Sequence, residues 1–419
     1  MAYQLIGDRI HLITELLDRQ RTQIELSFNA GGSWFEDDKD RGKKHLLEHC
    51  IVSRTKNLDF WQLKDYAFRE NLNLNAFTSG LRLGLEVGGH CSDFYKMLDL
   101  LLEFAFQPTF DQSILEREKE IVLKEISERR GDPAYRLYFE TNKAVFTPES
   151  YENHEVLGSS EMVAQTTLAD FEHLQKQNWL KSHIILTISG GGIDEEYVSQ
   201  QLNKYLSAQK FDEEYSLLPI NYEAPSQFQE FSYKPVVSSI AHEHAEVYLY
   251  IPCGINFGNR AAIKMFNSLF LRYNGVLYDR LRDELGLVYG INASFDQDLQ
   301  VLQIYLTCEI ELVTRIIEET AKVLGDFQSN FKPNKFQEFK ELIKKRDAIT
   351  KDTIGSVSDF LSSSLRTYGI PETFDQFTER FDQVTIEDVA EVYKNLQVNW
   401  MNKKVVVVSK SKEIEELKI

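Results

Sequence analysis

Two histidines and a glutamate crowd into five residues, His45-Leu46-Leu47-Glu48-His49. Residues four apart on a helix share a face, with Cβ atoms about 5–6 Å apart. His45 and His49 can therefore grip one metal ion. Glu48 projects beside that face, where a carboxylate can take a proton from an attacking water. The order His-x-x-Glu-His is the inverse of the His-Glu-x-x-His motif. Leu46, Leu47, Cys50, Ile51 and Val52 make this helix apolar nearly all round, which predicts burial. Buried imidazoles and carboxylates need partners, and a metal satisfies them together.

A second pair of carboxylates follows in the helical run Leu115 to Arg130. Glu118 and Glu125 are seven residues apart, two turns, within about 20° of each other around the helix. Ile121 and Val122 are expected on the same core-facing stripe, with Glu116, Glu120 and Lys124 pointing away. Charged groups on such a stripe are almost never left unpaired. One of the two can be a third metal ligand, and the other can orient a ligating histidine from behind. Two histidines and one carboxylate with a fourth position open describe a catalytic zinc site; structural sites are closed by four ligands and are usually rich in cysteine. His242-Glu243-His244 is a further cluster, but it has no evident third ligand and reads as a solvated strand start.

The elements that must carry these residues recur. A strand-like run Gln23 to Phe28 leads through a glycine turn to the apolar helix Lys43 to Val52. Later, strand-like Ala245 to Ile251 leads through Cys253-Gly254 to the apolar helix Ala261 to Leu271. Asn75-Ala76-Phe77-Thr78 precedes an alternating strand (Leu81, Leu83, Leu85, Val87), as Asn292 to Phe295 precedes Leu299 to Cys308. Charged helices then follow at Leu115 to Arg130 and Asn334 to Ile349. The preserved order predicts a duplicated α+β unit: two homologous α/β-sandwich domains, each a mostly antiparallel sheet with helices on one face. Pro219, Pro225 and Pro235 fall in a polar stretch without helical period, which predicts an interdomain linker. The expected division is 1–210, a linker at 211–236, and 237–419.

The chain has 419 residues, and its 27 Phe and 19 Tyr supply the cores that a disordered chain lacks. The balance of 47 basic against 65 acidic residues gives −18. That argues against nucleic acid, whose affinity comes from neutralised phosphates, and against docking on anionic membranes. No apolar run reaches the 18 or so residues of a membrane span. The N-terminus has no basic region followed by an apolar core, so no signal peptide is expected. Four scattered cysteines (Cys50, Cys91, Cys253, Cys308) without CxxC predict free thiols and a cytoplasmic location.

The chain resembles the pitrilysin, insulysin and mitochondrial processing peptidase family of inverted-motif zinc endopeptidases. That family's third ligand, a glutamate, lies 76 residues after the second histidine, and Glu125 stands there (49 + 76). A further family glutamate lies seven residues earlier, at Glu118. Ala30 to Glu36 with Gly42 resembles the lead-in to the metal helix, and Asn75 to Thr78 the family's Asn-Ala-x-Thr segment. Pro148 to Gly158 and Ile184 to Gly191 resemble the stretch closing the N-terminal domain. Leu281-Arg282-Asp283-Glu284-Leu285-Gly286-Leu287-Val288-Tyr289 resembles the C-terminal Leu-Arg-Glu-x-x-Gly-Leu-x-Tyr. Lys44 departs from the family by replacing a small residue before the first histidine, and Cys50 to Thr55 replaces the usual run after it.

The resemblance implies a zinc metalloendopeptidase with one Zn2+ per chain, held by His45, His49 and Glu125, with Glu118 behind. Glu48 would be the general base. Arg282 and Tyr289 would bind the substrate backbone and help polarise the scissile carbonyl. The strand following Asn75 would take a peptide as an added strand, with Asn75, Ala76, Phe77 and Thr78 contributing to the substrate site. The family's chamber needs four such units, which implies a homodimer with Arg282 and Tyr289 acting in trans. The alternative is a non-catalytic scaffold or partner subunit, which would be expected to lack ligands that this chain retains. The helix at Ala262 to Asn267, which answers to the metal helix, has no histidine.

Overall fold

The computed structural model describes residues 2–208, 217–326 and 333–419. Residues 211–216 of the expected linker lie outside them. In the first half of the chain, strands β1 (Ala2–Ile6), β2 (Ile10–Leu16) and β3 (Arg21–Phe28) are followed by helices α1 (Lys43–Ile51) and α2 (Phe60–Arg69). Then come β4 (Asn73–Thr78), β5 (Leu83–His90), α3 (Phe94–Phe106), α4 (Gln112–Gly131), α5 (Pro133–Val145) and β6 (Ile184–Gly190). The second half supplies β7 (Tyr233–Val237), β8 (Ala245–Pro252), β9 (Gly290–Asp296), β10 (Val301–Cys308) and β11 (Lys404–Ser409).

The strands form a six-stranded sheet, β1-β2-β6-β3-β5-β4, and a five-stranded sheet, β7-β11-β8-β10-β9. Each is antiparallel except for one pair, β2 with β6 and β7 with β11. Strand for strand, β2-β6-β3-β5-β4 has the same order and directions as β7-β11-β8-β10-β9, as a duplicated unit requires. One face of each sheet is a continuous apolar surface. Ile24, Leu26, Phe28, Leu85 and Val87 make the first, beneath Met97, Leu98 and Leu101 of α3; Val247, Leu249, Ile251, Leu302, Ile304 and Leu306 make the second. Burying each such side chain contributes about 1.5–3 kcal/mol. The opposite faces carry polar residues: Gln23, Glu25 and Glu86 on the first sheet, Glu246, Tyr248 and Tyr305 on the second.

The chain separates into two compact units, and neither is contiguous. The first comprises Met1–Arg129, His154–Ala224 and Thr350–Phe374; the second comprises Arg130–Asn153, Pro225–Ile349 and Asp375–Ile419. This differs from the division at 1–210 and 237–419 in two exchanged segments. Helix Ile354–Tyr368 packs Val357, Leu361 and Leu365 against Ile13 and Ile185 on the polar face of the first sheet. Helix α5 delivers Val145 to a core with Val406 and Val408 of the second. An amphipathic helix carries no mark of which sheet it will cover, so the exchange is invisible to sequence periodicity.

Asn75 to Thr78 precede the alternating strand as expected but are themselves strand, part of β4, and Asn292 to Phe295 likewise lie within β9. The alternating strand after Asn75 is β5, paired on both sides by β3 and β4. The edge of the first sheet is therefore β4 itself. His242 to His244 form a bend before β8 rather than its start. Their rings stack at 4.8 Å.

On β2, the His11 Nε2 lies 3.0 Å from His183 Nδ1, and the Tyr3 hydroxyl lies 2.9 Å from His11 Nδ1. Burial, with His183 beside it, depresses the His11 pKa to about 4. Unfolded, the ring titrates near 6.5. His11 therefore supports the fold fully above pH 6.5, and that support is lost as pH falls towards 4. Between pH 7 and 5, urea unfolding should show about 1–2 kcal/mol more loss for the native chain than for His11→Gln; equal losses would remove His11 from the acid response.

Candidate active site

Helix α1 begins at Gly42, whose φ of +91° favours glycine. A Cβ there would stand 2.6 Å from the Leu157 carbonyl oxygen, and one on Gly158 would stand 2.2 Å from the Gly42 nitrogen. The two glycines pack backbone against backbone. Gly42 has no side chain to cap the helix, and Glu36 from the preceding loop does this instead. Its carboxylate accepts from the Gly42 and Lys44 amides at 2.8 and 2.5 Å. Burial pushes the Glu36 carboxyl up and the Lys44 ammonium down. Lys44 is only 1% exposed, and its Nζ donates to the Ala30 carbonyl at 3.3 Å. Lys43 bridges Asp40 and Asp170, each at 2.9 Å. The helix start is thereby tied to three separate segments. Neither Glu36 nor the lysines were legible as supports; Glu36 stood out only as part of the lead-in.

The helix presents His45 and His49 to α4. Each Nε2 lies 3.8 Å from the same oxygen of Glu125, Oε2, and the two rings meet edge-on with centroids 5.0 Å apart. These distances exceed a hydrogen bond. A tetrahedral ion with bonds of about 2.0–2.2 Å separates its ligand atoms by about 3.3–3.6 Å. The three groups thus converge on one point as ligands of an ion would. Among the described residues, His45, His49 and Glu125 are the one such group, with ligand atoms all within 4.8 Å. Burial, then His49, lowers His45 to a pKa of about 4, so its imidazole is neutral and offers a lone pair. The His45 Nδ1 is buried without a hydrogen-bond partner. The donor set fits zinc.

Behind this group, Glu118 Oε2 lies 3.2 Å from His49 Nδ1. This contact fixes the ring and directs Nε2 toward Glu125. Arg117 holds the other Glu118 oxygen at 2.6 Å and lies over the Phe60 ring at 3.8 Å. Burial opposes the Glu118 charge, but the His49 contact and Arg117 outweigh it and hold its pKa low. Arg117 went unnoticed in the sequence because a residue adjacent to Glu118 is expected to point elsewhere.

The α4 stripe differs from expectation on one side. Ile114, Leu115, Glu118, Val122 and Ile126 are buried, whereas Ile121 is 43% exposed and the Glu125 side chain 34% exposed. The buried stripe is centred between Glu118 and Val122, so Ile121 and Glu125 fall on its wet margin. Glu125 consequently reaches the ligand cluster from the open side.

Glu48 sits beside the cluster and faces β4. Burial raises its pKa, while the Thr78 hydroxyl and amide and His49 oppose this. The Thr78 hydroxyl approaches Glu48 without closing a hydrogen bond of ordinary geometry. Asn75 is on the other face of β4, with its Nδ2 3.4 Å from Glu86. The Phe77 ring lies under Arg82 at 4.6 Å. Of Asn75, Ala76, Phe77 and Thr78, Thr78 borders Glu48.

Arg282 and Tyr289 belong to the second unit. Arg282 donates to the Val288 carbonyl, and Tyr289, 55% exposed, donates to Glu309. The turn at Gly286, with φ of +59°, brings the guanidinium to the segment carrying the phenol. The His244 ring lies 5.9 Å from that of Tyr289.

Residues 14–154 match the insulinase family, peptidase family M16, and residues 166–343 match the peptidase M16 inactive domain. A probable mitochondrial-processing peptidase subunit beta from Arabidopsis thaliana is 26% identical over 40% of this chain and 32% of its own length. An uncharacterized zinc protease from Rickettsia felis is 21% identical over 70% of this chain and 71% of its own. Cytochrome b-c1 complex subunit 1 from Mus musculus is 22% identical over 42% of this chain and 36% of its own length. The chain thus spans about a third of the plant and mouse relatives. A protease from Helicobacter pylori superposes with a TM-score of 0.76 at 16% identity, covering 97% of this chain and 98% of that one. A periplasmic protease from Escherichia coli superposes with a TM-score of 0.75 at 16% identity, covering 98% of this chain and 46% of that one. The fold, with a sheet in each unit, is that of two-domain M16 proteins, and the chain belongs to the M16 (insulinase) peptidase family.

Gly42→Ala should lower stability by about 2 kcal/mol or more, because strained φ and backbone contact coincide there. Gly131→Ala, with nothing within 4 Å, should change it by less than about 0.5 kcal/mol. Chemical denaturation checks both; similar small effects would dissolve the argument that Gly42 fixes the helix start.

Proposed function

We propose that this protein is a zinc-dependent metalloendopeptidase. The observation that carries the reading is the convergence of His45, His49 and Glu125, with Glu48 alongside and the sheet edge β4 next to it. His45, His49 and Glu125 would hold the ion. Bound zinc supplies Lewis acidity, polarising the scissile carbonyl and acidifying the attacking water. Glu48 takes the proton of that water and passes it to the leaving amine. Its burial suits this task, because a carboxylate with a raised pKa is the stronger base. Glu118 keeps the His49 ring in register, and Arg117 keeps Glu118 charged.

The edge strand β4 suits an extended peptide added as a further strand, its backbone pairing with the outer edge while Thr78 borders the reacting groups. Pairing of that kind reads extension rather than sequence and favours short peptides or unfolded segments. Arg282 and Tyr289, a guanidinium and a phenol, would donate to the substrate backbone and to the developing oxyanion. Both residue sets occur in one chain, which supports a homodimer in which each chain completes the other's site. No helix among the described residues is long and apolar enough to cross a membrane. The four cysteines are free, which suits a reducing, cytoplasmic setting.

The relatedness to a cytochrome complex subunit favours a second reading, a partner subunit without catalysis. Zinc content and cleavage of a quenched peptide separate the two. Glu48→Gln should retain one zinc per chain and lose at least about a hundredfold in kcat; His45→Ala should lose the zinc. A native chain that binds no zinc and cleaves nothing would leave the partner-subunit reading standing.

The shared site has its own test. Glu48→Gln chains mixed with Arg282→Ala chains should recover about a quarter of native activity, because half of randomly exchanged symmetric dimers hold one intact site of two. No recovery despite demonstrated subunit exchange would show that each chain acts alone.

A further inference from the structure

A cavity of about 660 Å³ lies within the second unit, between α5 and the polar face of the second sheet. Its lining contains four carboxylates and no lysine or arginine; its one histidine is His242. Tyr248 and Tyr250 stand on β8 with parallel rings 6.5 Å apart, and Tyr305 of β10 meets Tyr248 at 5.0 Å. At the base is Glu246, 8% exposed, whose Oε2 accepts from the Tyr248 and Tyr305 hydroxyls at 3.4 and 3.3 Å. Glu152 enters from the side. One of its oxygens accepts from Ser226 at 2.7 Å, and the other is buried with no hydrogen-bond partner. Asp296 faces the same space, and its charge adds to burial in raising Glu152.

The corresponding face of the first sheet handles the same problem differently. There burial raises the pKa of Glu25, and the Arg82 guanidinium 3.1 Å away, with Arg366, opposes that rise. The second sheet has one buried carboxylate on that face, Glu246, with tyrosine hydroxyls as partners where Glu25 has guanidinium groups. A bare metal ion does not suit it. The carboxylates are spread around the cavity, and among the described residues only the His45 cluster brings three donors within 4.8 Å. Carboxylates spaced among tyrosine rings suit a larger, softly hydrated cation, which gains from ring faces and charge together.

We propose that this cavity is a binding site for an organic cation, a guanidinium or alkylammonium group, accepted by Glu246, Glu152 and Asp296 against the Tyr248, Tyr250 and Tyr305 rings. A basic side chain of a peptide is the source that follows if the peptidase reading holds, and that assignment rests on it; the cation site itself does not. The volume exceeds one guanidinium group, leaving room for the aliphatic stem.

The test uses the full chain carrying Glu48→Gln, so that binding is measured without cleavage. Calorimetric titration with N-acetylarginine amide should give saturable binding, weakened at least about fivefold in Asp296→Asn and in Glu152→Gln. N-acetylleucine amide should not bind. Titration with spermidine distinguishes the source: tighter binding of N-acetylarginine amide supports a peptide side chain, and tighter binding of spermidine supports a free polyamine at the same site. If neither cation binds saturably, or if both variants bind as the parent does, the cation site is refuted while the peptidase reading is untouched. Circular dichroism identifies a variant that has lost its fold, and the other variant then decides.

Discussion

The site depends on holding one nine-residue helix still while it keeps polar groups out of water. His45 and Lys44 of α1 are buried, as is Glu118 opposite it, and Glu48 and His49 are partly so. Left to itself such a helix would turn those groups toward solvent. It does not, because its first turn is clamped before the ligands begin. Glu36 takes two of the amides that a helix start leaves without partners, Lys43 joins two acidic side chains, and Gly42 is pressed against Gly158. The histidines then have one direction available, toward Glu125. The placement of His45, the third residue of the helix, and of His49, the seventh, is set by contacts made around its start.

The meeting of His45, His49 and Glu125 was readable because helix geometry is short-range. Four residues fix one face, seven fix another, and burial follows from the apolar neighbours. Glu118 could be separated from Glu125 only by resemblance, since spacing alone made them equivalent. The structure separates them by tilt: the stripe centres between Glu118 and Val122, and Glu125 is left at the margin. Strand order in both sheets followed the repeat read from the chain. The edge strand was misplaced by one, because Asn75 to Thr78 lack the strong alternation of β5, whose two paired neighbours give it a buried face. The two exchanged segments left no trace, since what assigns Ile354–Tyr368 to the first sheet is contact with Ile13 and Ile185, far away in sequence.

Duplication here has produced specialisation on equivalent surfaces. The first unit's helix beside its sheet edge carries two imidazoles; the second unit's counterpart, Arg260–Phe266, carries none. The polar faces have diverged as well. One neutralises its buried carboxylate internally with arginine, and the other surrounds its own with tyrosines. The same backbone thus brings His45, His49 and Glu125 together in one copy and carries Arg282 and Tyr289 in the other.

The exchanged helices also bear on how the chain is made. The polar face of the first sheet stays uncovered until residues 354–368 have been synthesised, long after β6 has completed the strand set. Helix α5, made early, has no sheet to cover until β7 to β11 exist. Neither unit can finish as an independent domain while the chain emerges. The nascent first half therefore waits with Ile13 and Ile185 open to water, exposed to aggregation in the way that long-range contacts impose. Separately expressed halves should share that weakness, whatever the integrity of α1 within the first.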